Sequence, residues 1–335
     1  MEGERVASRY LIEHLAGTGG MATVWRATDL RDHTPVAIKR MLDRLRGDPE
    51  ARAMFDDEVA ATGAIRHPNV VSLLGHGSDD KGPWIALEWV EGVSGHELLT
   101  ARRAPVGLRA TLALALDVLQ ALAATHGPGV GVIHRDVAPA NVLVGIDGVS
   151  HLADYGLARS IARARVNAPG TAKGKIGYLP PEVLRGSIHG TRGDIYGVGA
   201  VLWELLAGRR LFAGVAQKSA LAHAYLHARR PVLVSARPDV PDAIANVIDS
   251  ALSLDPARRP PNAMAMAERL LTAAAREGVT ASPDELSMAV WGARRALTER
   301  LTERKRHEPA REVSALRAST YLRAPAPASR AASRG

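Results

Sequence analysis

The sequence predicts an α+β chain of two lobes, a small strand-rich lobe with one helix followed by a mainly helical lobe, and three observations carry that prediction. Between Tyr10 and Trp89, short strand-like runs recur around Gly-rich turns. One segment with clear helix-start signals interrupts them. Beyond Gly92, long Ala/Leu-rich stretches follow helical spacing. No internal repeat is visible, and 335 residues are enough to bury a sizeable core.

Tyr10–Leu15 and Thr23–Ala27 read as strands flanking the Gly-rich turn Gly17-Thr18-Gly19-Gly20-Met21-Ala22, and Pro35–Lys39 as a third. Asp48 as N-cap, Pro49 at the first helical position and Glu50 in the first turn start a helix that runs to about Gly63. Val70–His76 and Trp84–Trp89 add two strands. The helices expected next are Gly107–His126, Asp194–Ala207 closed by Gly208, Asp242–Leu254 and Asn262–Glu277. Residues 283–306 offer one more helix, and beyond Pro309 periodicity stops. The lobes therefore span 1–92 and 93–276, and 277–335 form a basic Ala/Arg/Pro-rich tail, partly helical and then disordered.

Composition narrows the function classes. Without cysteine there is no disulfide framework, thiolate catalysis or thiolate metal site. No run of eighteen apolar residues occurs and the N-terminus is charged, so no membrane segment is expected and the location expected is cytoplasmic. The net charge of +8 is concentrated in residues 293–335, where eleven Lys/Arg face four Glu. That tail has one Tyr and no RNA-binding signature, which disfavours nucleic acid and leaves an acidic partner as its expected contact.

The chemistry concentrates in His134-Arg135-Asp136-Val137-Ala138-Pro139-Ala140-Asn141, followed thirteen residues later by Asp154-Tyr155-Gly156. Two carboxylates and a carboxamide gathered this closely suit divalent cations on a triphosphate beside a substrate hydroxyl. The Gly-rich turn lies between two strands and not between a strand and a helix, which fails the dinucleotide-binding context and suits backbone N–H groups closing over phosphates. Lys39 follows Gly17 by twenty-two residues and Glu58 follows Lys39 by nineteen.

With these motifs in order, residues 8 to 276 resemble the eukaryotic-like Ser/Thr protein kinases of bacteria, which implies the bilobal protein-kinase-like fold: an antiparallel sheet plus one helix, then a mainly helical lobe. The resemblance implies that Asp136 orients the substrate hydroxyl and accepts its proton, that Lys39 pairs with Glu58 and holds the ATP phosphates, and that Asn141 and Asp154 ligate Mg²⁺, or Mn²⁺ in its place. It assigns the nucleotide pocket to Leu15, Gly17, Gly19, Val24, Ala37, Lys39 and Leu143, with Leu87 as gatekeeper and Glu88–Val90 as hinge. Glu182 would pair with a buried Arg259, and Asp194, otherwise a plain N-cap, would hold the catalytic loop. His134 is expected to be structural, packing beside Tyr155, and the Tyr155 hydroxyl is expected to find a partner.

Five positions depart from the family pattern or bear on regulation. Ala22 replaces the third loop glycine. Thr62 stands where an apolar spine residue is usual. Ala138 replaces a lysine that contacts the γ-phosphate, a loss on the order of 2 to 4 kcal/mol of transition-state stabilisation. Lys175 is expected to reach back toward Asp136 and substitute for it. Arg135 suggests regulation by a phosphate on Thr171 or Ser160. The expected activity is phosphorylation of protein Ser/Thr hydroxyls, with autophosphorylation in the activation segment. The alternatives are a weakly active or inactive scaffold that binds partners through its tail and a small-molecule kinase, which the Pro-Glu ending and Arg259 disfavour.

Overall fold

The computed structural model describes residues 1–101, 104–155, 176–213 and 230–320, with side chains as far as 303. Gly156, Ser160, Thr171 and Lys175 lie outside them, as do residues 321–335 at the end of the tail. Met1–Ala293 form one compact unit and Arg294–Gly335 a second.

The first unit begins with β1 (Arg5–Val6), β2 (Tyr10–Thr18), β3 (Ala22–Asp29) and β4 (Pro35–Met41), followed by helix α1 (Pro49–Gly63), β5 (Leu73–Asp79) and β6 (Gly82–Glu88). The six strands make an antiparallel sheet in the order β1-β2-β3-β4-β6-β5. Asp48 caps α1 as its sequence predicts, its carboxylate accepting from the N–H groups of Glu50 and Ala51. The strand expected at Val70–His76 lies three residues later. Val70 and Val71 are instead buried beneath the second lobe's hairpin, where Val70 bridges Leu152 and the Val71 N–H bonds Leu152 O at 3.1 Å. Apolar residues shared between two lobes carry the same sequence signal as strand residues.

The second lobe starts with β7 (Gly92–Ser94), α2 (Gly95–Ala101) and α3 (Leu108–His126), and β8 (Val142–Gly145) and β9 (Ser150–Leu152) complete a three-stranded sheet with β7. After them come α4 (Pro181–Leu184), α5 (Thr191–Ala207), α6 (Leu233–Ala236), α7 (Asp242–Ala251), α8 (Ala263–Arg276) and α9 (Pro283–Thr320). Gly208 ends α5 in the left-handed conformation, φ 66°, where a Cβ would be strained. Helix α3 is apolar and long enough to cross a membrane by length and composition alone. Its Leu114, Leu119 and Leu122 are fully buried in the lobe's core, each burial contributing about 1.5 to 3 kcal/mol.

The tail boundary expected at 276 moves outward. Leu286, Val290 and Ala293, at helical spacing, are fully buried, so the first turns of α9 belong to the compact unit. There the Ser287 hydroxyl donates to Ile146 O at 2.5 Å and Arg109 pairs with Glu285 at 2.8 Å. A Cβ on Gly148 would lie 2.1 Å from Pro283 O, so the β8–β9 turn and the helix meet at backbone distance. The helix also continues past Pro309 to Thr320. Its Ala, Arg and Glu residues favour helix intrinsically, a preference that periodicity does not register.

Candidate active site

Three elements converge on one cleft. The β4 strand runs opposite β3 with Lys39 facing Val24 and Arg26 facing Ala37 in register, and opposite β6 with Ala37 facing Leu87. Val24, Ala37 and Leu87 are thus brought to neighbouring ladder positions, while Leu143 on β8 stands across the cleft, partly buried. Leu87 packs partly against Met41, Ala51, Phe55 and Ile85. Glu88 and Val90 lead from β6 into the second lobe, and the Glu88 carboxylate accepts from the Ser72 N–H at 3.2 Å. Leu15 is 46% exposed at the mouth, and Gly17 and Gly19 flank a turn closed by the Gly19 N–H on Ala22 O at 2.8 Å.

Helix α1 is turned inward, so that Lys39 Nζ meets Glu58 Oε1 at 2.6 Å and also contacts the Asp154 carboxylate. Burial works to neutralise Lys39, but the charges of Asp154 and Glu58 outweigh it and hold its pKa above the ordinary lysine value. One cation between two carboxylates leaves a deficit. Burial pushes Glu58 up to about 7 against the pull of Lys39, with Asp154 adding to the rise.

Across the cleft, Pro139–Asn141 form a single 3₁₀ turn that folds the Asn141 carboxamide back on Asp136. Asn141 Nδ2 donates to Asp136 O and to Asp136 Oδ2, both at 2.8 Å, which leaves Oδ1 as the acceptor atom of that amide. Asp154 is in the left-handed region, φ 67°, and 44% of its side chain is exposed. The Asn141 amide oxygen and the Asp154 carboxylate, on segments joined by the Ala153 N–H on Asn141 O at 2.9 Å, are hard oxygen donors, so this set fits Mg²⁺.

The loop is anchored from below. Asp194 lies in the first turn of α5, whose N-cap is Gly190, so the capping alternative does not hold. Its carboxylate accepts from the N–H of His134 and the N–H of Arg135, each at 2.8 Å, and contacts His126 Nε2 at 2.8 Å and His189 Nε2 at 3.1 Å. Burial works against its charge, yet the two imidazoles outweigh it and hold Asp194 well below the usual carboxylate range. His134 is fully buried and held neutral, its pKa lowered chiefly by burial; Nε2–H faces Ala153 O at 3.0 Å and Nδ1 accepts from the Asp136 N–H at 3.2 Å. Its ring lies 4.5 Å from that of Tyr155. The partner expected for the Tyr155 hydroxyl is not found: Oη is buried with none at hydrogen-bond geometry. The Thr125 hydroxyl is the polar side chain close enough to pull the Tyr155 pKa down against burial; its own hydrogen goes to Leu122 O at 3.2 Å, and its oxygen does not meet Oη at hydrogen-bond geometry. A phenol replacing a phenyl ring in a closed slot gains an oxygen without gaining a neighbour.

Glu182 and Arg259 meet in a bidentate pair, at 2.8 and 2.6 Å, with Arg259 also donating to Ser253 O and Arg192 O at 2.9 Å. Sequence reasoning missed His126, His189 and Glu204. Glu204 receives the Tyr178 hydroxyl at 2.8 Å and the Leu211 N–H at 2.9 Å. For His126 and Glu204, polar residues inside the apolar helices α3 and α5, the helical position was the available signal, since such groups are buried only with partners; His189, in the loop before α5, carried none. Between Asp136 and Asn141, Ala138 is buried, and none of Val137, Ala138, Pro139 and Ala140 brings a cation. Lys175, expected to compensate, lies outside the described residues.

The model of the protein kinase domain matches residues 10–271. The chain belongs to the protein kinase domain family. It is 36% identical over 268 residues to the serine/threonine-protein kinase PknL of Mycobacterium tuberculosis, covering 79% of this chain and 66% of the relative. It is 33% identical over 257 residues to the serine/threonine-protein kinase PrkC of Bacillus subtilis, covering 77% of this chain and 39% of that relative. The chain thus spans just under two thirds of one of these relatives' length and two fifths of the other's. The solved kinase domain of Mycobacterium tuberculosis PknI shares the fold, with a TM-score of 0.63 at 24% identity over 82% of this chain and 98% of that one. The bilobal fold expected of the kinase domain is therefore the fold of this chain.

Proposed function

We propose that this kinase-family chain transfers the γ-phosphate of ATP to Ser or Thr hydroxyls of proteins, including its own activation segment. The observation that carries the reading is the pairing across one cleft of Lys39 with Glu58 and Asp154 on one side and Asp136 with Asn141 on the other. Lys39 is the cation for the nucleotide phosphates, and Glu58 fixes its stem. Asp136, held by the Asn141 amide and by its own N–H on His134 Nδ1, is the base that orients the attacking hydroxyl and takes its proton. Asn141 Oδ1 and Asp154 would hold Mg²⁺, which when bound neutralises charge developing on the phosphates. The serine/threonine kinase names of the relatives support the choice of acceptor. We place the reaction in the cytoplasm and assign the basic tail to an acidic partner, with nucleic acid not favoured.

A second reading, a weakly active scaffold, is favoured by Ala138, which leaves the catalytic loop without a γ-phosphate cation. One assay separates the two: purified protein with Mg²⁺ and γ-labelled ATP, beside Asp136→Asn, followed by phosphosite mapping. Label on Ser or Thr in the wild type, reduced roughly 10²- to 10⁴-fold in the variant, is the expected outcome. Nucleotide binding with no label would establish the scaffold.

A further inference from the structure

Asp194 is held by two imidazoles from different parts of the chain. His126 ends α3, whereas His189 belongs to the loop that follows the Glu182–Arg259 pair. The two divide the carboxylate. Oδ2 takes His126 and the His134 N–H, and Oδ1 takes His189 and the Arg135 N–H. With two donors on each oxygen, the four lone-pair sites of the carboxylate are filled.

The Oδ1 side carries the strain. Arg135 is in the left-handed region, φ 65°, a conformation that a bulky residue adopts only when its surroundings enforce it. Asp136 is the next residue along. Whatever keeps Oδ1 on the Arg135 N–H therefore keeps the turn that aims Asp136.

The helix makes room for His189. A Cβ on Gly193 would lie 2.4 Å from His189 Nε2 and 2.5 Å from its Cδ2, so a side chain there and this ring position exclude each other. Glycine is the weakest helix former after proline, and here it stands in the first turn of α5. His189 is buried, and its Nδ1 has no partner, so within this pocket the hydrogen bond the ring makes is the one to Asp194.

We propose that His189 is a positioning residue for phosphoryl transfer: it clamps Asp194 Oδ1 on the Arg135 N–H, fixes the strained turn before Asp136, and ties the catalytic loop to the segment leaving Glu182. The role rests on the kinase reading, but its structural half has a readout independent of activity. Loss of His189 leaves Oδ1 with one donor and frees the carboxylate to turn toward His126. Nucleotide contacts at Lys39 and Leu143 are untouched, so the defect falls on turnover.

The test uses the full chain with His189→Phe, which fills the space without a donor, His189→Gln, which keeps one, and Gly193→Ala in wild-type and His189→Ala backgrounds. His189→Phe is expected to lower kcat about tenfold with KM for ATP within about twofold, and to speed amide hydrogen exchange at residues 134–136. His189→Gln is expected to recover most of both. Gly193→Ala, which should otherwise favour the helix, is expected to reproduce the loss in the wild type and to add nothing once His189 is Ala. Wild-type exchange and turnover in His189→Phe would overturn the proposal, as would a Gly193→Ala defect of equal size in both backgrounds. If the wild type transfers no phosphate, the kinase reading fails, while the exchange rates still decide whether His189 clamps the loop.

Discussion

The two sides of the cleft are held by different means. Below it, a charged carboxylate with four donors and a bidentate Arg259–Glu182 pair fix the catalytic loop within α3, α5 and the segment between them. Above it, α1 is packed by Ala51 and Phe55, whereas its far end, at Thr62 and Gly63, borders a solvent-open pocket of about 590 Å³ reaching Leu73 and Glu88. Its link to the chemistry is the Lys39–Glu58 pair. A buried carboxylate whose four acceptor sites are filled has one arrangement and fails abruptly when a donor is lost; a helix whose end borders an open pocket can shift at small cost. The α1 side is therefore the one the fold leaves room to adjust.

The largest effect should come from breaking the lower side. Asp194→Asn turns an amide toward donors that need an acceptor, and removing the charge from such a buried set costs about 3 to 5 kcal/mol. Urea denaturation of the full chain should show that loss. A change below about 1 kcal/mol would mean that the loop is held elsewhere and would erase the contrast between the two sides.

A smaller effect of opposite sign is expected above. Thr62 is buried, and its place at the cavity edge leaves space for a longer apolar side chain. Thr62→Leu should stabilise by about 1 kcal/mol, close to the value of one buried methylene, and raise Tm by about 2 °C. Lower stability would show that the cavity does not accept the side chain and that α1 is already fixed at both ends.

Much of this arrangement was legible because its signals are local. Asp48 and Pro49 announced α1, the Val-Ala-Ile-Lys run announced β4, and the spacing of Gly17, Lys39, Glu58, Asp136, Asn141 and Asp154 announced the cleft. What was not legible depends on packing between elements. His126 reaches Asp194 only when α3 and α5 pack, and His189, although five residues before Asp194, reads as an ordinary loop residue until the start of α5 is buried. Val70 and Val71 read as strand because burial between lobes and burial in a sheet have the same apolar pattern. The start of α9 read as tail because its charged surroundings outweighed the spacing of Leu286, Val290 and Ala293.

Tyr155 lies where the two sides meet, its ring tilted against that of His134 in the lower network and its chain following Asp154, which touches Lys39 of the upper one. Its hydroxyl, like Nδ1 of His126 and of His189 in the lower network, has no partner at hydrogen-bond geometry. Burial raises its pKa far above the ordinary tyrosine value, so it stays protonated throughout the stable range and carries a hydrogen without an acceptor. A buried unsatisfied hydroxyl costs about 1 to 3 kcal/mol. Tyr155→Phe keeps the ring on His134 and removes that cost, so it should stabilise the chain by about 1 kcal/mol in the same urea titration. Destabilisation by a similar amount would mean that Thr125 serves as a true partner, and Thr125→Val would then lose the same energy. In that case the lower network would extend through Tyr155 toward Asp154, and the boundary between the fixed and the adjustable side would lie at Lys39 rather than at the His134–Tyr155 ring contact.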